Sequence, residues 1–358
     1  MTQPPDKPFG IYVHWPYCLS KCPYCDFFSR AEKKIDETAL LTGYRRDLTL
    51  IPLKTRATSI FFGGGTPCLM SLTLFKSLMN DIRARCRLTD NAEITMEVNP
   101  DAITPDKMQA LADMGVNRLS IGVQALNERD LSFLGRRHSV QTALTCIETA
   151  QKLGFRVNMD LIYARPEQTV QSWQNELKTA LSLGLNHYSL YQLTIEPNTV
   201  FGRKKITPAN DETAARLFET TWDIMAAAGR PAYEISNFAT PGEECRHNLT
   251  YWLGHDYAGI GPAAHGRLGL TATVAPASVP LWLQNGIKTE RLTSAERFEE
   301  RLLTAVRLPK HDFPIKELDQ NGVRKALATG WITVTDNTFH PTKTGLLFSD
   351  TLAAWLCP

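Results

Sequence analysis

Residues 14–28 read HWPYCLSKCPYCDFF, which sets Cys18, Cys22 and Cys25 in a C-x3-C-x2-C spacing among aromatics and prolines. Two thiols would suggest a redox pair, and four a structural zinc or a fully ligated cluster. Three can hold three corners of a 4Fe-4S cube and leave the fourth iron open for a ligand that is not cysteine. The competing reading is a zinc half-site on Cys22 and Cys25. It leaves Cys18 redundant, and no second C-x2-C occurs in the chain. The other cysteines, Cys68, Cys86, Cys146, Cys245 and Cys357, are scattered, as expected of free thiols in a reducing compartment rather than of a disulfide framework.

The wider composition is that of a folded protein: 358 residues, 43% hydrophobic and 21% charged, enough for one large domain and a smaller one. With 39 basic and 37 acidic residues the formal charge is +2, so no global field invites nucleic acid. A local basic patch leaves peripheral membrane contact open. No apolar stretch approaches the roughly 20 residues of a membrane span. The start MTQPPDKPFG lacks the halves of a signal peptide, so a cytoplasmic location is expected.

Outward from the cysteines, six β-rich runs recur between residues 9 and 193: FGIYVHW, TSIFFGG, EITMEV, RLSIGVQ, RVNMDLIYA and HYSLYQL. Segments of helical period separate them. Thr104-Pro105 opens one helix with Met108, Leu111 and Met114 on a face and Gly115 at its end. Ser139 opens another with Val140, Leu144 and Ile147 inward, and Thr169 a third with Trp173, Leu177 and Leu181 inward. Strands alternating with helices predict an α/β fold, a parallel sheet curled into a partial (β/α)6 barrel over residues 1–229. Residues 230–290 show no clear period and read as an irregular connecting or cap region. Residues 291–358, with short helices and the hairpin-like WITVTDNTFHPT, predict a small winged-helix-like α+β domain.

Functional groups of such barrels gather at strand ends. There the chain places the cysteines, then Gly63, Gly64, Gly65 and Thr66 in FFGGGTP, Glu97, Gln124 and, shortly after, Arg136; Asp160 lies inside an apolar run. A glycine turn lets backbone N–H groups approach a ligand closely, and a carboxylate in an apolar run must find a partner. Each alone is an ordinary loop feature. Their recurrence at successive strand ends marks a site.

The motif CLSKCPYC resembles that of the radical S-adenosylmethionine (SAM) enzymes, whose three cysteines leave one iron for SAM. GGGTP is similar to their SAM-contacting glycine motif. YVHWPYC, GGGTPC, MEVNPD, SIGVQALN, LGRRH and DLIYARPEQT, between residues 12 and 169, resemble the coproporphyrinogen dehydrogenase-like branch. The resemblance implies a 4Fe-4S cluster on Cys18, Cys22 and Cys25. It also implies SAM contacts at Tyr12, Gly64, Gly65, Thr66, Glu97, Gln124, Arg136 and Asp160. Within that branch, the coproporphyrinogen III dehydrogenases carry a further cysteine where this chain has Phe27, and a longer arm than the 17 residues that precede Cys18. HemW-type heme chaperones instead have CDF and a later HNxxYW motif, here HNLTYW at residues 247–252. Cys68 and Ala164 replace the more usual Ser and Gly. The implied function is heme binding and delivery to acceptor proteins, with heme at His247, Tyr251 and Trp252. By the residues alone, HNLTYW is equally a packed aromatic corner, and His265 is an equally eligible iron ligand. The competing function is radical oxidative decarboxylation of coproporphyrinogen III, and whether the chain is an enzyme stays open at this point.

Overall fold

The computed structural model describes residues 7–311 and 313–358. The six runs form β1 (Phe9–Trp15), β2 (Arg56–Gly64), β3 (Arg87–Val98), β4 (Arg118–Gln124), β5 (Arg156–Tyr163) and β6 (His187–Gln192), parallel and adjacent in chain order. Parallel neighbours need crossovers, and these are α1 (Glu37–Leu48), α2 (Leu72–Arg85), α3 (Pro105–Asp113), α4 (Val140–Lys152) and α5 (Val170–Ser182); α6 (Asp211–Ala227) follows β6.

The helix signals act as expected. Thr104, Ser139 and Thr169 side chains accept from backbone N–H groups of the first turns, and Gly115, Gly154 and Gly184 follow the helix ends at φ of 104°, 80° and 68°. The inward face of α4 is Ala143, Cys146, Ile147 and Ala150, with Val140 and Leu144 only flanking it. On α5, Trp173 and Leu177 are buried as expected, and so is Glu176. Its carboxylate pairs with the Arg165 guanidinium, which also reaches Asp130 at 3.0 Å. A buried charge is tolerable because it is paired.

Along the parallel strands the outward residues are apolar and most inward ones polar. In β4, Leu119, Ile121 and Val123 are fully buried in the main core, while Arg118, Ser120 and Gln124 face the barrel interior among other polar groups. Registers such as Ser120↔Asn158 and Asn158↔His187 stack these inward groups into layers.

Residues 230–290 differ from the sequence expectation of an irregular connection. They hold β7 (Asn237–Ala239), helix α7 (Arg246–Trp252), β8 (Asp256–Ile260), β9 (His265–Leu268) and β10 (Thr271–Val274), with β11 (Lys288–Arg291) close behind. All five strands join the main sheet, in the order β11-β10-β9-β8-β1-β2-β3-β4-β5-β6-β7. β8 lies parallel beside β1. Strands of three to five residues are too short for a period of two to declare itself.

The C-terminal segment comprises α8 (Ser294–Ala305), α9 (Gln320–Ala328), the hairpin β12 (Ile332–Thr335) and β13 (Thr338–Pro341), and α10 (Ser349–Leu356). Asp336 and Asn337, at φ of 51° and 59°, make the two-residue hairpin turn. Its core, built on Leu302, Phe313, Phe339, Leu352 and Leu356, is separate from that of the barrel. Among the described residues no helix is long and apolar enough to cross a membrane.

Candidate functional site

The cysteine loop leaves the end of β1 and is tied down at both sides. Arg30 N donates to Pro16 O at 2.9 Å, and His14 Nε2 meets Phe28 O at 2.8 Å. His14 Nδ1 lies 3.0 Å from the Tyr12 hydroxyl. With Nε2–H donating to the carbonyl, Nδ1 accepts from Tyr12. His14 was not singled out in the sequence, although it stands in the opening stretch. Burial takes its pKa down to about 4, so the ring stays neutral in this bridge.

Cys18, Cys22 and Cys25 are free and half-buried, all in this loop. Among the described residues no group of three His, Cys, Asp or Glu side chains is drawn together as a metal cage. Thiolate sites commonly close only around their metal. Arg136 Nη1 lies 3.4 Å from Cys22 Sγ, a cation suited to a thiolate ligand, while burial raises the Cys25 pKa. Three softly held thiols beside a guanidinium fit an iron-sulfur cluster. Cys68 and Cys245 are buried elsewhere, each raised by burial to about 12, and fit a packing role.

The glycine turn presses against the same loop. Gly65 N donates to Trp15 O at 2.6 Å and Thr66 N to Tyr17 O at 2.8 Å. A Cβ at Gly65 would stand 2.5 Å from Tyr17 O, and Gly64 has φ of 105°. Close backbone approach therefore requires glycine here. Gly64 N donates to Glu97 Oε2 at 3.1 Å.

Asn99, also unnoticed in the sequence, joins the next pieces. Its Nδ2 donates to Thr66 Oγ1 at 3.0 Å, and its Oδ1 accepts from Arg136 Nη2 at 2.6 Å. Arg136 further donates to Gly122 O at 2.8 Å. Gln124, at φ of 72°, turns at the end of β4 so that its amide lies over Gly122 beside Asn99 and Arg136. Tyr12 comes from β1, its ring beside Phe61. Asp160 is held by Asn158 Nδ2 at 2.7 Å and Ser120 Oγ at 3.2 Å. Burial, then the neighbouring Asp160 charge, pushes Glu97 up to about 8; burial pushes Asp160 to about 6. Two protonatable carboxyls at the barrel mouth suit a ligand bearing ammonium and hydroxyl groups, and Arg136 suits a carboxylate.

HNLTYW is not part of an irregular cap, the expectation for residues 230–290. It forms α7, packed into the barrel against β1 and β2. His247 is 4% exposed, its Nδ1 lies 3.0 Å from Ser59 Oγ, and its ring stacks on Phe61 with Tyr12 and Tyr251 around it. Ser59 lies five residues before Gly64 on β2, so His247 sits about 16 Å along the strands from the cysteine end. Glu93 fastens the helix: Oε1 accepts from His247 N at 3.1 Å and Cys245 Sγ at 3.3 Å, and Oε2 from Arg156 at 3.0 Å. Although burial alone would raise it, Arg118, that N–H and Arg156 bring the Glu93 pKa below the usual range. Tyr251 and Trp252 are half-buried, with ring centroids 5.1 Å apart. His265 is exposed at the start of β9.

Residues 12–180 match the model of the radical SAM superfamily. The heme chaperone HemW of Escherichia coli is 42% identical over 267 residues, covering 73% of this chain and 70% of that protein. The mitochondrial radical S-adenosyl methionine domain-containing protein 1 of Danio rerio is 41% identical over 266 residues, 72% of this chain and 60% of its own length. In structure, coproporphyrinogen III oxidase (HemN) from Escherichia coli superposes with a TM-score of 0.85 over 99% of this chain and 91% of that one, at 20% identity, which speaks to the fold alone. The sequence match and the barrel agree: the chain belongs to the radical SAM superfamily, whose cofactors are SAM and a 4Fe-4S cluster, and within it to the HemW family.

Proposed function

We propose that the protein binds heme and delivers it to acceptor proteins, and that Cys18, Cys22 and Cys25 hold a 4Fe-4S cluster whose open iron takes SAM. Arg136 would face the SAM carboxylate, and Tyr12, Gly64, Gly65, Thr66, Glu97, Gln124 and Asp160 its remaining polar groups. The cluster supplies one-electron chemistry when bound. The chain's own part is to orient SAM at the barrel mouth and keep bulk water from the buried carboxyls. A cytoplasmic setting suits the free thiols.

The observation that carries the chaperone reading is the 42% identity to the protein named heme chaperone HemW. The barrel interior supports it against decarboxylation of coproporphyrinogen, a substrate with four carboxylates. Arg118 and Arg156 are engaged by Glu93. Guanidiniums already paired in this way offer little to a polyanionic substrate.

A heme titration followed by absorbance tests the reading. Wild type and the Cys18→Ser variant both take up heme, while Cys→Ser at Cys18, Cys22 or Cys25, and not at Cys68 or Cys245, removes most iron and sulfide after reconstitution. Trp252→Ala and His247→Ala weaken heme uptake about tenfold or more without loss of cluster. Unchanged affinity in both, with loss in His265→Ala, moves the ligand to His265; no uptake by wild type refutes the reading.

A further inference from the structure

Arg136 differs from the other guanidiniums of the barrel in what surrounds it. Arg118 and Arg156 lie 4.0 and 3.0 Å from the Glu93 carboxylate, and Arg165 pairs with Glu176. Arg136 has no carboxylate within ion-pair reach among the described residues; its partners are Cys22 Sγ, Asn99 Oδ1 and Gly122 O. Removing a charge from water among neutral groups is costly unless an anion completes it. The fork also keeps a free donor. Nη1 faces Cys22 Sγ and Nη2 is taken by Asn99 and Gly122, but Nε is buried with no hydrogen-bond partner.

Asn99 decides which way the neighbouring hydrogen bonds run. A guanidinium only donates, so the Asn99 side-chain oxygen faces Arg136, at 2.6 Å, and its NH2 faces Thr66 Oγ1, at 3.0 Å. The Thr66 oxygen therefore accepts from Asn99, and its own proton is left to donate. Thr66 is 2% exposed, so that proton needs a partner other than bulk water. Gly122 makes room for the assembly: a Cβ there would stand 2.8 Å from Gln124 Nε2, 3.3 Å from Asn99 Oδ1 and 3.4 Å from Arg136 Nη2. Two free donors, Arg136 Nε–H and Thr66 O–H, are thus held on either side of one neutral amide.

An aspartate at this position would be close in shape and opposite in effect. A carboxylate only accepts, so it would draw the Thr66 proton to itself and pair with Arg136, as Glu176 does with Arg165. Both donors would then be used within the protein.

We propose that Asn99 is a positioning and specificity-determining residue for SAM: its neutral amide holds Arg136 and Thr66 as free donors to the amino-acid carboxylate, and so sets the preference for a ligand that carries this group. The proposal rests on the SAM reading above and extends it to a residue outside the contacts assigned there. Asn99 acts through its two neighbours.

The test measures equilibrium binding of SAM, and of decarboxylated SAM, which lacks only the carboxylate, to the anaerobically reconstituted full chain. Wild type binds SAM more tightly than the decarboxylated compound. Asn99→Asp keeps wild-type iron content, weakens SAM binding about tenfold or more, the scale of a lost charged hydrogen bond, and changes the affinity for decarboxylated SAM by less than about twofold. Asn99→Ala, which removes the amide without adding a charge, loses less SAM affinity than Asn99→Asp. A merely structural Asn99 gives the opposite order, since aspartate fills the same space and alanine leaves a gap. SAM affinity in Asn99→Asp equal to wild type, or an equal loss for both compounds, overturns the proposal. Failure of wild type to bind SAM at all refutes the SAM reading itself, and the proposal with it.

Discussion

Glu97 shows how one residue carries the electrostatics of the site. Its carboxyl is buried near Asp160, and its pKa rises from the ordinary 4.5 to about 8. Between those values the folded protein binds a proton that the unfolded chain does not. The group's contribution to stability therefore falls as pH rises from about 4.5 through about 8. Glu97→Gln keeps an oxygen for Gly64 N and removes the titration. Urea midpoints of the cluster-free, SAM-free protein drop less between pH 6 and pH 8 in this variant than in wild type. An equal drop in both contradicts the account. Glu97 was legible because a carboxylate at a strand end stands out against its apolar neighbours. His14 and Asn99 were not. Their roles come from partners in sequence-distant places, the Phe28 carbonyl for one and Arg136 with Thr66 for the other.

At the scale of elements, the turn after β2 locks the cysteine loop through backbone rather than side chains. Gly65→Ala puts a methyl 2.5 Å from the Tyr17 carbonyl, a backbone atom that cannot swing away. The variant loses about 1–3 kcal/mol of stability in chemical denaturation, the range for overpacking against fixed atoms. It also reconstitutes less iron than wild type, because the loop holding Cys18 must shift. Full stability and full iron content would show that the turn does not position the loop. The six strands from Phe9 to Gln192 were readable because each is a β-rich run set off by capped helices. β7 to β10 were not, since three to five residues between Gly, Pro and aromatic loops give no period. HNLTYW misled for a related reason. Its seven-residue helix Arg246–Trp252 is too short for a helical face to show, and the expectation of an irregular cap region gave way to a plug sealed by Glu93 and Ser59.

The whole molecule joins a parallel barrel with a polar interior to a small C-terminal segment with its own core. The barrel fold was open to inference from the βα alternation, and the radical SAM motif narrowed it further. Function does not follow from that fold, since the superposition with coproporphyrinogen III oxidase covers nearly the whole chain at only 20% identity. What favours heme handling over porphyrinogen chemistry is the 42% identity to the heme chaperone HemW of Escherichia coli, together with Phe27 at the edge of the cysteine loop, 65% exposed. The direct test presents the anaerobically reconstituted protein, with SAM and a reductant, separately with heme and with coproporphyrinogen III. The account predicts saturable heme binding and no release of carbon dioxide from coproporphyrinogen. Sustained decarboxylation without heme binding would contradict it.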